Sequence, residues 1–275
     1  MTLLTITGFR ITRYAFPRGR VIGDSQVRSE MHYVGALELL TDGEHAGLGF
    51  FGALFHPLPA RSELERVFAA EVFPALQGQN PFVLLNRQSR PRGGNIRGTI
   101  FGQAVNQALW DLQGKALGLP LYRLLGGTDP RVFAYASGLE FHLPTDVVQA
   151  FFAEAQSRGF RAFKMKVGHP DLAWDVARLR AVAHVVGYDA QFMVDANEAW
   201  SPKEAIRRAY AYRDAGINLF WIEDPCLRDD FEGLARVAQE VTFAHINSGE
   251  YLDLHGKRML MEHRAVDILN VHGHI

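Results

Sequence analysis

FKMKVG at 163–168, FMVDANEAW at 192–200, LFWIEDP at 219–225 and INSGEY at 246–251 are four apolar runs that each lead into charge. The charged residues are Lys164 and Lys166, Asp195, Glu223 and Glu250. From Lys166 to Asp195 is 29 residues, from Asp195 to Glu223 is 28, and from Glu223 to Glu250 is 27. A strand, a loop, a helix and a return loop take roughly 25–30 residues, so each step reads as one βα unit. The lysines and acids then stand at the carboxyl ends of consecutive parallel strands, where barrel enzymes place their chemistry. A last run, AVDILNVHGHI at 265–275, reads as the next strand.

Working outward, the same alternation extends from residue 128 to 275. Strands are predicted near 132–138, 161–167, 190–195, 218–223, 243–248 and 266–271. Between them lie helical stretches such as DVVQAFFAEAQSRG, DLAWDVARLRAVAHVVG, PKEAIRRAYAYRDAG, FEGLARVAQEV and HGKRMLMEHRA. This predicts an α/β fold in which a parallel sheet curls toward a TIM-type (β/α) barrel. It is an incomplete barrel, lacking strands 7 and 8 of the eight that closure needs. Residues 1–127 read differently, as a small α+β domain. TLLTITGFRITRYAF alternates, and MHYVGALELLTDGEHAGLGFFGA gives two strands around Thr41-Asp42-Gly43, a hairpin signal. PRGRVIGDSQVRSE between them reads as a polar loop. Helices are predicted over 61–78 and 99–117, the second with Phe101, Val105, Ala108, Leu109 and Leu112 on one face and a stop at Gly118-Leu119-Pro120.

Composition narrows the function classes. Hydrophobic content of 48%, charge of 21% and a net charge of −1 are those of an ordinary globular protein, with no pull toward nucleic acid or an anionic membrane. The local Arg cluster RQSRPRGGNIRG reads as a solvated loop. One cysteine, Cys226, excludes an internal disulfide and fits a reducing cytoplasm; with no basic partner in sequence it reads as a buried small residue. No apolar run approaches 18 residues and no signal peptide is evident, so no membrane span is expected.

The chemistry follows from residue type. Three carboxylates at neighbouring strand ends suit a hard divalent cation such as Mg²⁺. Lys164 and Lys166, two apart on a strand, point to one face. Two ammonium groups beside each other and a dication are expected to depress one another's pKa, which favours a general base. Metal and lysines together suit removal of the proton α to a carboxylate, because the resulting enediolate needs both to meet its charge. A lone KxK, Asp-Ala-Asn or Glu-Asp-Pro is ordinarily a strand edge or a loop cap; their joint even spacing favours the functional reading.

These runs, with QALWDLQGKALGLPLYRLLGG ahead of them, resemble the enolase superfamily, in its mandelate racemase and muconate lactonizing enzyme branch. The resemblance covers essentially the whole chain and implies an N-terminal capping domain before the barrel. It implies Asp195, Glu223 and Glu250 as Mg²⁺ ligands, Lys166 as base and Lys164 at the substrate carboxylate. Asn197 matches a position that supports metal or substrate, or caps its loop. The metal–lysine mechanism is the arrangement already described for that superfamily. Where many members carry an Asp at the end of the sixth strand, this chain has His272, either a second acid/base or a structural histidine.

The expected substrate is a small carboxylate. The leading expectation is dehydration of a sugar acid; racemisation, epimerisation or cycloisomerisation is the alternative, and an inactive truncated fragment the second. Specificity is expected in residues 15–30 and 46–60, where Arg18, Arg20 and Asp24 favour a polar anionic ligand while Phe50, Phe51, Phe55 and His56 favour an apolar one. A Schiff-base aldolase on Lys166 needs no three-acid site, and a zinc hydrolase wants histidine pairs, so both are disfavoured. An open six-stranded sheet has an unpaired edge, which predicts association or poor folding, and a homo-oligomer is the expected assembly. The run ending at Ile275 stops in mid-pattern, which reads as a shortened version of a longer chain.

Overall fold

The computed structural model describes residues 4–52, 56–88 and 100–271. Its strands form a three-stranded sheet of β1 (Ile6–Gly23), β2 (Arg28–Thr41) and β3 (Gly47–Phe51), in that order. The helices that follow are α1 (Arg61–Val67), α2 (Pro81–Gln88), α3 (Gly102–Leu117) and α4 (Leu121–Leu124). After α1 the chain passes through a π turn at Phe68–Val72 and a 3₁₀ turn at Phe73–Ala75. The helix predicted over 61–78 is therefore broken, because Pro74 lacks the N–H that an α-helical ladder needs.

The second half is a six-stranded parallel sheet whose strand order follows the sequence. It runs β4 (Ala136–Ser137), α5 (Thr145–Ser157), β5 (Ala162–Lys166), α6 (Leu172–Val186), β6 (Gln191–Asp195), α7 (Pro202–Asp214), β7 (Leu219–Glu223), α8 (Phe231–Glu240), β8 (His245–Ser248), α9 (Leu254–Glu262) and β9 (Ile268–Leu269). Four of the five helices in this half, α6 to α9, start where a side chain caps them. Asp171 accepts from Ala173 N, Ser201 from Glu204 N, Asp230 from Gly233 N and Asp253 from Gly256 N. None of the described helices is long and apolar enough to cross a membrane.

Contacts among the described residues divide the chain into two compact units. One is drawn from Met1–Pro17 and Met31–Val132, the other from Arg18–Glu30 and Phe133–Gly273. In the first, α3 lies on β3, and the predicted face of Phe101, Val105, Ala108, Leu109 and Leu112 is fully buried. Gly47 and Gly49 allow that approach: a Cβ there would run into the carbonyls of Ala108 and Ala104. The edge of β3 is closed by side chains of α3, with Asp111 Oδ2 accepting from Leu48 N at 2.8 Å and Gln107 Oε1 from Phe50 N at 2.9 Å.

The polar loop predicted over 17–30 is mostly strand. β1 continues to Gly23 and β2 begins at Arg28, leaving a turn of four residues. Asp24 closes it by accepting from Gln26 N and Val27 N, and Gly23 N donates to Leu139 O at 2.8 Å. Sequence polarity misled here because this ribbon exposes much of its length.

In the second unit an apolar layer between sheet and helices holds Val148, Phe152, Phe163, Leu179, Phe192 and Ile222. Phe152 of α5 meets Phe163 of β5 edge-on, with ring centroids 5.8 Å apart. Phe152→Ala should cost about 3–5 kcal/mol of stability, as deletion of a buried aromatic ring does. A stability from urea unfolding lowered by less than about 1 kcal/mol would contradict that packing. Cys226 is buried, as expected, and burial pushes its thiol up to about 12.

Candidate active site

Strand register builds the site. Lys166 pairs with Asp195, Asp195 with Glu223, and Glu223 with Asn247, so these four side chains share one face in one layer. Lys164 pairs with Met193 in the layer below, where Met193 packs with Ala162 and Trp221. Lys166, Asp195, Glu223 and Asn247, the layer above this apolar floor, are all charged or polar and all buried.

Lys164 Nζ lies 3.1 Å from Asp195 Oδ2 and 2.9 Å from Glu223 Oε2. Lys166 Nζ donates to Asp195 Oδ2 at 2.6 Å and to Asn197 Oδ1 at 2.8 Å. Lys166 is placed from below by its own backbone: its N–H donates to Oε1 of the fully buried Glu140 at 2.7 Å. Burial raises the Glu140 carboxyl above its usual range. Asn197 adopts a left-handed φ of 46°, which asparagine tolerates, and its backbone oxygen accepts from Gln26 Nε2.

Charge state follows from this packing. Burial works to lower the Lys164 ammonium, but Asp195 and Glu223 outweigh it and hold it above its ordinary value. The expected depression by a neighbouring ammonium is thus not what Lys164 shows; carboxylates at contact distance dominate. For Asp195 burial would raise the pKa, yet Lys164 and Lys166 together pull it below the usual range. Glu223 carries the remaining penalty. Burial, then the charge on Asp195, pushes it up to about 7, because one shared ammonium cannot compensate two buried carboxylates.

Asp195, Glu223 and Asp224 bring carboxylate oxygens within 4.8 Å of one another, all buried. Asn247, on the same face as Glu223, holds a buried Oδ1 with no hydrogen-bond partner among the described residues. Hard oxygen donors converging in a buried place fit a divalent cation such as Mg²⁺. Glu250 is not in that cluster. β8 ends at Ser248, so Glu250 stands two residues beyond the strand, after Gly249 at φ 113°, and its Oε2 lies 3.4 Å from Arg228. Asp224 is the acid that sequence reading passed over. On a regular strand it would face away from Glu223, but its φ of 40° departs from strand geometry. The Asp-Pro step was the available signal.

Other expected site residues fall elsewhere. Arg18 lies half-buried on β1, while Arg20 donates to Gly138 O at 3.4 Å and covers the Phe151 ring at 4.8 Å. Asp24 is buried and caps its turn. Phe51 is buried against Phe101 in the first unit's core, whereas Phe50 and His56 are exposed. Phe55 and His272 lie outside the described residues. Asn270, next to that run, donates to Glu223 Oε1 at 3.2 Å.

Comparison with known proteins matches this fold. Residues 147–273 match the family described as Enolase C-terminal domain-like, and residues 47–126 the Mandelate racemase / muconate lactonizing enzyme N-terminal domain. The chain belongs to the enolase superfamily, in its mandelate racemase and muconate lactonizing enzyme branch. A crystal structure of a Mesorhizobium loti protein, provisionally assigned as a mandelate racemase, is 50% identical with a TM-score of 0.92, covering 98% of this chain and 72% of that one. An L-talarate dehydratase from a Polaromonas species, solved with Mg and L-glucarate, is 32% identical with a TM-score of 0.80, over 97% of this chain and 73% of that one. A 3,6-anhydro-alpha-L-galactonate cycloisomerase from Streptomyces coelicolor is 44% identical over 149 residues, which is 54% of this chain and 40% of the relative. The curated relatives also include epimerases and dehydratases, and the chain spans about half their length or less.

Proposed function

We propose that the protein removes the proton α to a carboxylate of a sugar acid, in a Mg²⁺-dependent reaction, and that loss of water from the resulting enediolate follows. The observation that carries this reading is the double engagement of Lys166 Nζ, by Asp195 at 2.6 Å and Asn197 at 2.8 Å. A neutral amine has two hydrogens and one lone pair. With both hydrogens given to Asp195 and Asn197, the lone pair is left to accept a substrate proton. Lys164, held as an ammonium, is placed to meet the substrate carboxylate. Asp195, Glu223 and Glu250 are the proposed ligands. When bound, Mg²⁺ supplies Lewis-acid stabilisation of charge developing on the substrate carboxylate. The parallel sheet is read as six strands of an incomplete (β/α) barrel, with this layer at its carboxyl end.

Support for a sugar acid comes from relatives whose names carry L-glucarate and 3,6-anhydro-galactonate. The second of these favours an alternative outcome, cycloisomerisation from the same enediolate. One experiment separates them: incubation with Mg²⁺ and a panel of acid sugars in D₂O, followed by NMR. Deuterium at C2 with a 2-keto-3-deoxy acid product supports dehydration. Exchange accompanied by an isomeric product supports the alternative. Neither exchange nor product across the panel overturns the reading.

A further inference from the structure

One guanidinium joins three consecutive loops at the carboxyl end of the sheet. Arg228, only 9% exposed, donates from Nε to Asp224 Oδ2 at 2.7 Å, and its NH2 lies 2.6 Å from the same oxygen. Its NH1 lies 2.6 Å from Glu198 Oε2, and its backbone N–H donates to Glu198 Oε1 at 2.8 Å. NH2 also reaches Glu250 Oε2 at 3.4 Å, and the guanidinium covers the Tyr251 ring at 4.9 Å. Glu198 follows β6, Asp224 follows β7 and Glu250 follows β8.

The arrangement sorts the acids. Asp224 Oδ1 accepts from Ser248 Oγ at 2.6 Å while Arg228 holds Oδ2, so both oxygens of Asp224 have a hydrogen-bond partner. Glu223 is left as the acid of the Glu-Asp pair that faces Asp195 and Lys164. Asn197, Glu198 and Asp224 all adopt left-handed φ values, of 46°, 66° and 40°. Non-glycine residues persist there only when their surroundings hold them. Arg228 holds two of the three directly.

We propose that Arg228 is a positioning residue for the cation site: by tying together the loops that carry Glu198, Asp224 and Glu250 it holds Glu250 at the rim of the acid cluster. The proposal rests on the reading of Asp195, Glu223 and Glu250 as ligands. A lysine keeps the charge but lacks the planar fork that serves three carboxylates at once. The test is Mn²⁺ binding to this chain by titration calorimetry, without substrate. Arg228→Lys and Arg228→Met are both expected to weaken Mn²⁺ about 10–100-fold, the usual loss when a supporting partner of a metal ligand is removed. In a Glu250→Ala background, Arg228→Lys should add little further loss, because the two act through one contact.

Wild-type affinity in Arg228→Lys overturns the proposal, as do losses that multiply fully in the double variant. If Arg228→Met does not fold, judged by its thermal transition, Arg228→Lys carries the test. Glu250→Ala with unchanged affinity sinks the ligand reading and this proposal with it. Glu250→Ala weakened beside an unaffected Arg228→Lys sinks this proposal alone.

Discussion

Lys166→Ala is expected to reduce solvent exchange of the substrate α-proton by at least 10²–10⁴-fold, the contribution of a positioned general base. The loss should appear in kcat more than in substrate affinity, because Lys164, the group proposed to meet the substrate carboxylate, remains. Lys164→Ala should show the opposite emphasis, with weakened binding as well as slower exchange. The prediction rests on geometry: Lys166 is the lysine engaged by Asn197, fixed at its backbone by buried Glu140, in the same layer as Asp195 and Glu223. Exchange followed by NMR in D₂O measures it. Unchanged exchange in Lys166→Ala would reassign the base, and Lys164 would be the next candidate.

The second large effect is on cation binding and its pH dependence. Mg²⁺ at a hundred times its Kd should stabilise the folded chain by about 2.7 kcal/mol, and Asp195→Asn should remove that gain. The gain should shrink as pH falls through the region near 7, because burial and Asp195 hold Glu223 at about 7 and protons compete for that oxygen. The sign for the metal-free chain is opposite. A carboxyl raised from 4.5 to about 7 binds its proton more tightly when folded. Its contribution to stability is complete below about 4.5 and is lost as pH rises through about 7. Metal-free protein should therefore lose stability from this group over the pH range in which Mg²⁺ begins to restore it. Thermal unfolding with and without MgCl₂ at several pH values measures both trends. Equal Mg²⁺ shifts on either side of pH 7, or a full shift in Asp195→Asn, would contradict the assignment.

The parallel array was legible because its two signals are local. Apolar runs end in charge at even steps, and Asp171, Ser201, Asp230 and Asp253 mark helix starts by capping chemistry. Lys164, Lys166, Asp195 and Glu223 come together as spacing and side-chain alternation required. Glu250 shows the limit of that reasoning: periodicity placed it on a rung, but the strand stops at Ser248 and the next turn is made by Gly249. Asp224 and Arg228 were invisible for a related reason, since a left-handed residue cancels the alternation from which facing is inferred. The segment 17–30 failed on polarity, because a solvent-facing ribbon and a loop look alike in composition.

The turn between β1 and β2 bears on how such chains diversify. Gln26 reaches the backbone oxygen of Asn197, 171 positions later in sequence, and Asn197 in turn holds Lys166. Contacts group Arg18–Glu30 with the sheet that carries Lys166, the proposed base, rather than with its sequence neighbours. The surroundings of Lys166 therefore draw on a short piece of early sequence. A chimaera joined cleanly after residue 132 would import a foreign neighbour for Asn197, the partner of the proposed base. Exchange of halves between relatives should succeed only when residues 18–30 travel with the half they touch.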